Sequence, residues 1–339
     1  YVHASVHDSS DADKSTTFLY FNNCTNYGGQ LLLSTPGGGC SSEATGKTSG
    51  HAGLMYSAAL KAELDPPITA EEIRGTLIMS VDDIDVPESL TDDSKFPSVA
   101  GWDLHFGYGR NNARRSVDMI LDGEIPPEAD IEAPLWFAPI NVREHPTIDV
   151  TGRVGARIDG LPARYGSNYT WKLSWAVGVD PKAGWETIGE GAGTKGGGTT
   201  PAVISSWDVA KAAEKIDFTK ALVDPHQWTV TLKLTVEAKS GDKTLKNEFR
   251  KTVHLIDDPD LHPGYPRYVG TSAEGSPKVL DVDGDSAEEI IVATTDGKVH
   301  AWKLDGSEAE GFPILLPFRR EQDASYAFNI QGACAFQAK

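Results

Sequence analysis

Cysteine is scarce in this chain. There are three in 339 residues, Cys24, Cys40 and Cys334, and no CxxC pair, which argues against a thiolate metal site. Cys24 and Cys40 are compatible with one disulfide outside the cell or with two free buried thiols. Long apolar runs are missing as well: none approaches the roughly 20 residues a helix needs to cross a bilayer, so no membrane span is expected. Basic residues are few, with 31 Lys and Arg against 49 Asp and Glu and a net charge of −18. So acidic a surface repels phosphate backbones, which excludes nucleic acid as a partner and suits solubility and the binding of divalent cations. The chain begins at Tyr1 with neither a charged n-region nor an apolar h-region, so it carries no signal peptide. The missing Met reads as a start that has been cut away.

What is present points to a soluble, turn-rich protein of two or three domains. Apolar residues make up 39% and charged residues 24% of the chain, with 34 glycines and 20 prolines, a globular composition rich in turn formers. Residues 1–120 read as α/β. Short apolar runs at 1–6, 17–21 and 31–33 suit buried strands. A proline-free stretch from Ala44 to about Leu64 suits a buried helix, in which Gly46, Gly50 and Gly53 fall near one face and would allow close packing. Thr69 and Glu72 form a capping box that opens a second helix, whose buried face continues through Ile73, Leu77 and Ile78.

Residues 121–135 are rich in Pro and acid and read as a linker. Polar–apolar alternation at 147–158, 169–179, 229–238 and 247–256 then predicts an immunoglobulin-like β-sandwich over residues 136–258. A short helix is expected near Val209–Lys215, and residues 189–198 read as a flexible loop. From residue 259 to 339 the texture changes again. Strands at 289–295 and 298–304, each followed by Asp-Gly, predict a hairpin. A hairpin cannot hide both its edges, so a larger propeller-type array is expected.

The segment Gly37-Gly38-Gly39-Cys40-Ser41-Ser42-Glu43-Ala44-Thr45-Gly46 leads from a glycine-rich loop into a helix. A serine in that position presents its hydroxyl at a positive helix terminus beside free backbone N–H groups. An attacking serine needs that exposure, and a developing oxyanion needs those donors. A helix N-cap alone accounts for the same serine. Gly46-Lys47-Thr48 mimics the end of a phosphate-binding loop, but that motif needs glycine where Ser41 stands.

With its flanks, this segment resembles the region around the nucleophile of the subtilisin-like serine proteases. Ser42-Glu43-Ala44-Thr45-Gly46 is similar to the family's Ser-x-Ala-x-Pro, with Gly46 in place of the proline and Cys40-Ser41 in place of Gly-Thr. Tyr1–Val6 with the Ser-rich turn at Ser15–Phe18, Leu31–Gly37, and Asp65–Thr69 with Glu72–Arg74 resemble the family's neighbouring elements. Phe106-Gly107-Tyr108-Gly109-Arg110-Asn111-Asn112-Ala113 matches its closing Gly-Tyr-Gly signature. The resemblance spans residues 1–120. It implies a secreted endopeptidase acting on protein or peptide substrates through an acyl-enzyme on Ser42. It also implies that the aspartate and histidine of the triad lie upstream of Tyr1, so that this chain alone is inactive. His51 and His105 read as structural.

Asp281-Val282-Asp283-Gly284-Asp285-Ser286-Ala287-Glu288-Glu289 carries carboxylates at positions 1, 3, 5 and 9, an alternation that converges oxygens on a hard cation. An EF-hand would need Glu at position 12, where Val292 stands. The segment resembles the calcium loop of FG-GAP repeats, which implies a structural Ca²⁺ held by the side chains of Asp281, Asp283, Asp285 and Glu289 and the carbonyl of Ala287. Five tryptophans between Trp171 and Trp228 suit the core of the sandwich, or a face that binds a protein or glycan partner. The fold class expected is therefore multidomain: a partial subtilase-like α/β domain, a β-sandwich and a propeller-type repeat. The alternative function is an extracellular binding protein with Ca²⁺-stabilised β modules behind a catalytically dead protease domain.

Overall fold

The computed structural model describes residues 2–7, 16–17, 27–36, 41–65, 67–85, 98–155, 169–193, 201–220, 226–240, 243–273 and 275–316, with backbone alone at 2–7, 16–17, 41, 240 and 243. The three cysteines lie outside the described residues, and so does the possible Cys24–Cys40 bridge. Among the described residues the fold is rich in sheet, with four sheets and a few helices, and the chain forms two compact units, Tyr1–Asp257 and Asp258–Lys339.

In the first unit, strand β1 (Val2–His7) lies between β2 (Thr16–Thr17) and β3 (Leu33–Pro36), antiparallel to the one and parallel to the other. Helix α1 (Ser41–Lys61) follows β3, and α2 (Ala70–Met79) and α3 (Ala113–Leu121) pack beside it. The capping box at Thr69 forms as its sequence requires. The Thr69 hydroxyl accepts the Glu72 N–H at 3.2 Å, and the Glu72 carboxylate accepts the Thr69 N–H at 2.9 Å. Leu33, Met55, Ile73, Leu77, Ile78 and Ile120 are buried in one apolar cluster among these elements, each contributing about 1.5–3 kcal/mol relative to exposure.

One expectation for α1 is reversed. Its packed stripe is Ala44, His51, Met55, Ala58 and Ala59, at helical spacing, and the glycines lie off it. A Cβ at Gly46, Gly50 or Gly53 would meet nothing within 4 Å, and Leu54, Tyr56 and Leu60 beside them are exposed.

The rest of the unit is two sheets about one core. Strands β4 (Glu128–Ala133), β6 (Thr147–Gly155) and β9 (Ala202–Asp208) form one sheet, in the order β4-β6-β9. The other runs β5-β11-β10-β7-β8, from β5 (Pro139–Asn141), β7 (Tyr169–Val177), β8 (Glu186–Ala192), β10 (Thr229–Ser240) and β11 (Lys243–Ile256). On β10 the inward residues Val230, Leu232, Leu234, Val236 and Ala238 are fully buried, as the period of two demands. Helix α4 (Val209–Ala213) follows β9.

Two segments differ from expectation. Residues 121–135, read as a linker, contain β4, because Ala129 and Ile131 point into the core between acids that face its rim. Gly189 and Gly191, read as part of a loop, lie in β8. A Cβ at Gly191 would fall 2.9 Å from the Trp171 ring and one at Gly189 would fall 2.6 Å from the Ser205 hydroxyl, so the glycines make room for packing rather than for flexibility.

The second unit is a four-stranded antiparallel sheet, β12 (Lys278–Leu280), β13 (Glu289–Ala293), β14 (Lys298–Trp302) and β15 (Ile314–Leu315), in chain order. The β13–β14 hairpin turns at Asp296-Gly297, where Gly297 has φ +83°. Ile291, Val299 and Ala301 are buried, while Val279, Leu280, Ile314 and Leu315 on the two edge strands are exposed. Among the described residues, no helix is long and apolar enough to cross a membrane.

Candidate functional site

Ser42 lies in the first turn of α1 and is exposed. Two contacts from the second turn hold the start of α1 against the end of β3: Lys47 Nζ donates to the Pro36 carbonyl at 2.9 Å, and the Thr35 and Thr48 hydroxyls lie 3.0 Å apart. Glu43 and Lys47 pair one turn apart at 2.5 Å. The first N–H groups of a helix have no carbonyl partner within it, so a hydroxyl here sits among backbone donors.

Among the described residues no side chain hydrogen-bonds the Ser42 hydroxyl, and His51, the histidine on the same helix, is too far along it to take its proton. His51 is nine residues further along α1, about 13 Å at 1.5 Å per residue. It is buried, with Nε2 2.6 Å from the Ser116 hydroxyl on α3. Ser116 donates in turn to the Ala113 carbonyl at 3.0 Å, so the Nε2 proton points at Ser116. Burial holds the His51 pKa below its ordinary value, and the ring is a neutral packing group between two helices. His105 lies with its ring centroid 5.1 Å from that of Tyr27, and its backbone N–H donates to the Asp103 carboxylate at 2.8 Å.

The Gly-Tyr-Gly segment is laid against β3. Tyr108 N–H donates to the Leu32 carbonyl at 2.8 Å, Ser34 N–H to the Gly109 carbonyl at 2.8 Å, and Asn111 N–H to the Ser34 carbonyl at 2.9 Å. At Gly107, φ +64°, a Cβ would stand 2.4 Å from the Leu32 oxygen; at Gly109, φ +131°, it would stand 2.3 Å from the Asp82 oxygen. Only glycine permits both approaches. Asn112 caps α3 and donates to Asp82, which also receives Arg110 at 3.3 Å and Arg115 at 2.8 Å. Asp82 is held below the ordinary carboxylate range by these partners, against a desolvation that acts the other way. The signature thus builds the support of the strand that delivers Ser42.

The acidic loop belongs to the second unit. Asp281, Asp283 and Asp285 are exposed and each offers a carboxylate oxygen within 4.8 Å of the others. The loop is wound by its own backbone: Gly284 and Ser286 N–H donate to Asp281, Asp285 N–H to Asp283, and Ala287 N–H to Asp285. Gly284 (φ +79°) and Ser286 (φ +73°) supply the left-handed corners. Glu289, the fourth carboxylate, is fully buried at the start of β13. Its Oε2 accepts the Val282 N–H at 2.9 Å, and its Oε1 has no hydrogen-bond partner.

One residue at this loop went unread in the sequence. Lys303 Nζ lies 2.8 Å from Asp283 Oδ2 and 2.5 Å from Asp285 Oδ2. The hydrogen bond from Lys303 lowers the Asp285 pKa, and the Asp283 carboxylate leads in raising that of Lys303. A signal for it exists: continuing the register that pairs Ile290 with Trp302 sets Lys303 opposite Glu289. No protein-family model matches the chain, and no curated protein is significantly similar to it.

Proposed function

We propose that the chain is the C-terminal part of a secreted subtilisin-like endopeptidase, hydrolysing peptide bonds through an acyl-enzyme on Ser42. The observation that carries the reading is an exposed serine in the first turn of a helix that follows a parallel strand, with no partner for its hydroxyl among the described residues. The Gly-Tyr-Gly turn against that strand supports it. So does the open face of α1, whose glycines leave room for a further element. The reading requires an aspartate and a histidine from polypeptide preceding residue 1. Ser42 then attacks the scissile carbonyl, histidine takes its proton, and N–H groups of the α1 terminus lie close to the developing oxyanion. The two-sheet core is read as an immunoglobulin-like module and the second unit as a propeller-type repeat, either of which could present a protein or glycan partner.

A structural Ca²⁺ in the 281–289 loop is part of the same proposal. The donor set is hard oxygen throughout, and the buried, unpartnered Oε1 of Glu289 fits a cation ligand better than a solvated turn. Asp281, Asp283, Asp285 and Glu289 would hold the ion with the carbonyl of Ala287, which neutralises carboxylates that otherwise repel.

Fluorophosphonate labelling with peptide mapping tests the protease reading on a polypeptide extended upstream through the triad region. Label on Ser42 there, its loss in Ser42→Ala, and no label in the 339-residue chain are expected. A folded extended protein that takes no label would sink the reading. The Ca²⁺-stabilised binding protein would then stand in its place.

A further inference from the structure

We propose that Lys303 is the resident counter-ion of the 281–289 loop, and that a divalent cation loads the loop by displacing its ammonium from Asp283 and Asp285. The inference rests on the Ca²⁺ reading of the loop and adds what governs its filling. Three observations carry it. Lys303 Nζ bridges two of the three clustered carboxylates, at 2.8 and 2.5 Å. Glu289, fully buried, keeps Oε1 without a partner while its other oxygen is fastened to the loop at Val282. Asp281 spends its oxygens on the backbone N–H groups of Gly284 and Ser286, so Lys303 is the one cationic side chain paired with the loop among the described residues.

An ammonium offers a single charge and cannot gather four carboxylates and a carbonyl. It leaves Glu289 Oε1 unserved, which a doubly charged ion that takes six to eight oxygens would serve. With Lys303 in place the loop keeps its winding without metal, because the mutual repulsion of Asp283 and Asp285 is offset. A divalent ion entering the same space meets the ammonium as a like charge, so Lys303 must leave. The consequence is a weakened affinity, set near the ~10⁻⁴–10⁻³ M range of extracellular Ca²⁺ modules. Filling then follows export into a calcium-rich medium. Lys303 reaches the loop from the end of β14, and its own backbone stays pinned when the side chain departs: Tyr265 donates to its carbonyl at 3.0 Å and its N–H bonds Ser307 at 2.9 Å.

Calorimetric titration of the full chain with CaCl₂ tests this, using Lys303→Met, the charge-keeping Lys303→Arg, and Lys298→Met as a control whose ammonium pairs with Asp296 instead. Lys303→Met is expected to bind Ca²⁺ at least roughly tenfold more tightly than wild type, from the loss of one like charge at contact distance. Lys303→Arg and Lys298→Met should stay within about threefold of wild type. A second readout needs no variant. Acylation of Lys303 by an amine-reactive ester, followed by mass spectrometry, should speed up at least about threefold in Ca²⁺ over EGTA, with Lys298 unchanged. Wild type that binds Ca²⁺ while Lys303→Met binds no tighter and Lys303 acylation stays constant would overturn the proposal and leave the Ca²⁺ site standing. Failure of wild type and Lys303→Met alike to bind at 10 mM would remove the Ca²⁺ reading itself.

Discussion

The glycines at 107 and 109 show how one absent methyl group decides a fold locally. The turn carrying them can donate to and accept from β3 because nothing stands between the two backbones. Gly107→Ala would bring a Cβ to 2.4 Å from the Leu32 oxygen at a φ of +64°. The expected cost is at least about 2–3 kcal/mol, combining backbone strain with lost hydrogen bonds. A urea denaturation midpoint well below that of wild type would show it, and a midpoint within error would mean the turn yields freely. Gly191 has a different reason for the same residue type, a tryptophan face at 2.9 Å, so alanine there should displace Trp171.

At the scale of elements, the charged seam where β4 meets β6 and α2 is the most consequential feature outside the two candidate sites. Arg153 on β6 reaches Glu128 at 3.1 Å and Asp130 at 2.5 Å on β4, and Arg74 on α2 reaches Asp130 at 3.3 Å. Burial pushes the Glu128 carboxyl up to about 7 despite Arg153, helped by the like charges of Glu71 and Asp130. Burial likewise pushes Asp103 up to about 6, against three backbone N–H donors. The folded chain therefore keeps these protons at a pH where the unfolded chain has released them. The stability these two groups contribute is full below about pH 4, falls as the pH rises through 6 and 7, and is spent by about pH 8. The drop should be on the order of 1–3 kcal/mol. Glu128→Gln should remove most of the slope between pH 5 and 8 in chemical denaturation; an unchanged slope would place the titration elsewhere.

On the scale of the whole first unit, the α/β segment is keyed to the larger sheet through its outer face. The Arg250 guanidinium on β11 lies between Trp102, at 4.9 Å, and Trp185, at 5.5 Å, and pairs with Glu248 at 2.6 Å. The Tyr108 hydroxyl donates to Glu248 at 3.1 Å, and Asn247 donates to the Pro127 carbonyl at 2.7 Å. Such half-buried stacks contribute about 1–2 kcal/mol. Arg250→Ala should lower the unfolding free energy of the unit by a comparable amount in urea denaturation and shift tryptophan emission to the red. Arg250→Lys should not restore it, because a point charge cannot stack on both rings. Full restoration by lysine would show that charge alone matters there.

Much of this was written locally. The capping box at Thr69, the α2 face of Ile73, Leu77 and Ile78, the alternation of β10 and the Asp-Gly hairpin of the second unit follow from periodicity and turn chemistry, which act over a few residues. The acidic spacing of 281–289 and the exposed position of Ser42 are legible for the same reason. What acts over long sequence separations was not. A strand inside an acidic, proline-rich stretch, glycines in β8 dictated by Trp171, α1 glycines turned away from the packed face, Lys303 closing on Asp283 and Asp285, and Arg250 between two tryptophans 83 residues apart in the chain are all decided by which surfaces meet. Only the tertiary structure sets those meetings, because burial and close approach depend on partners that local sequence does not name.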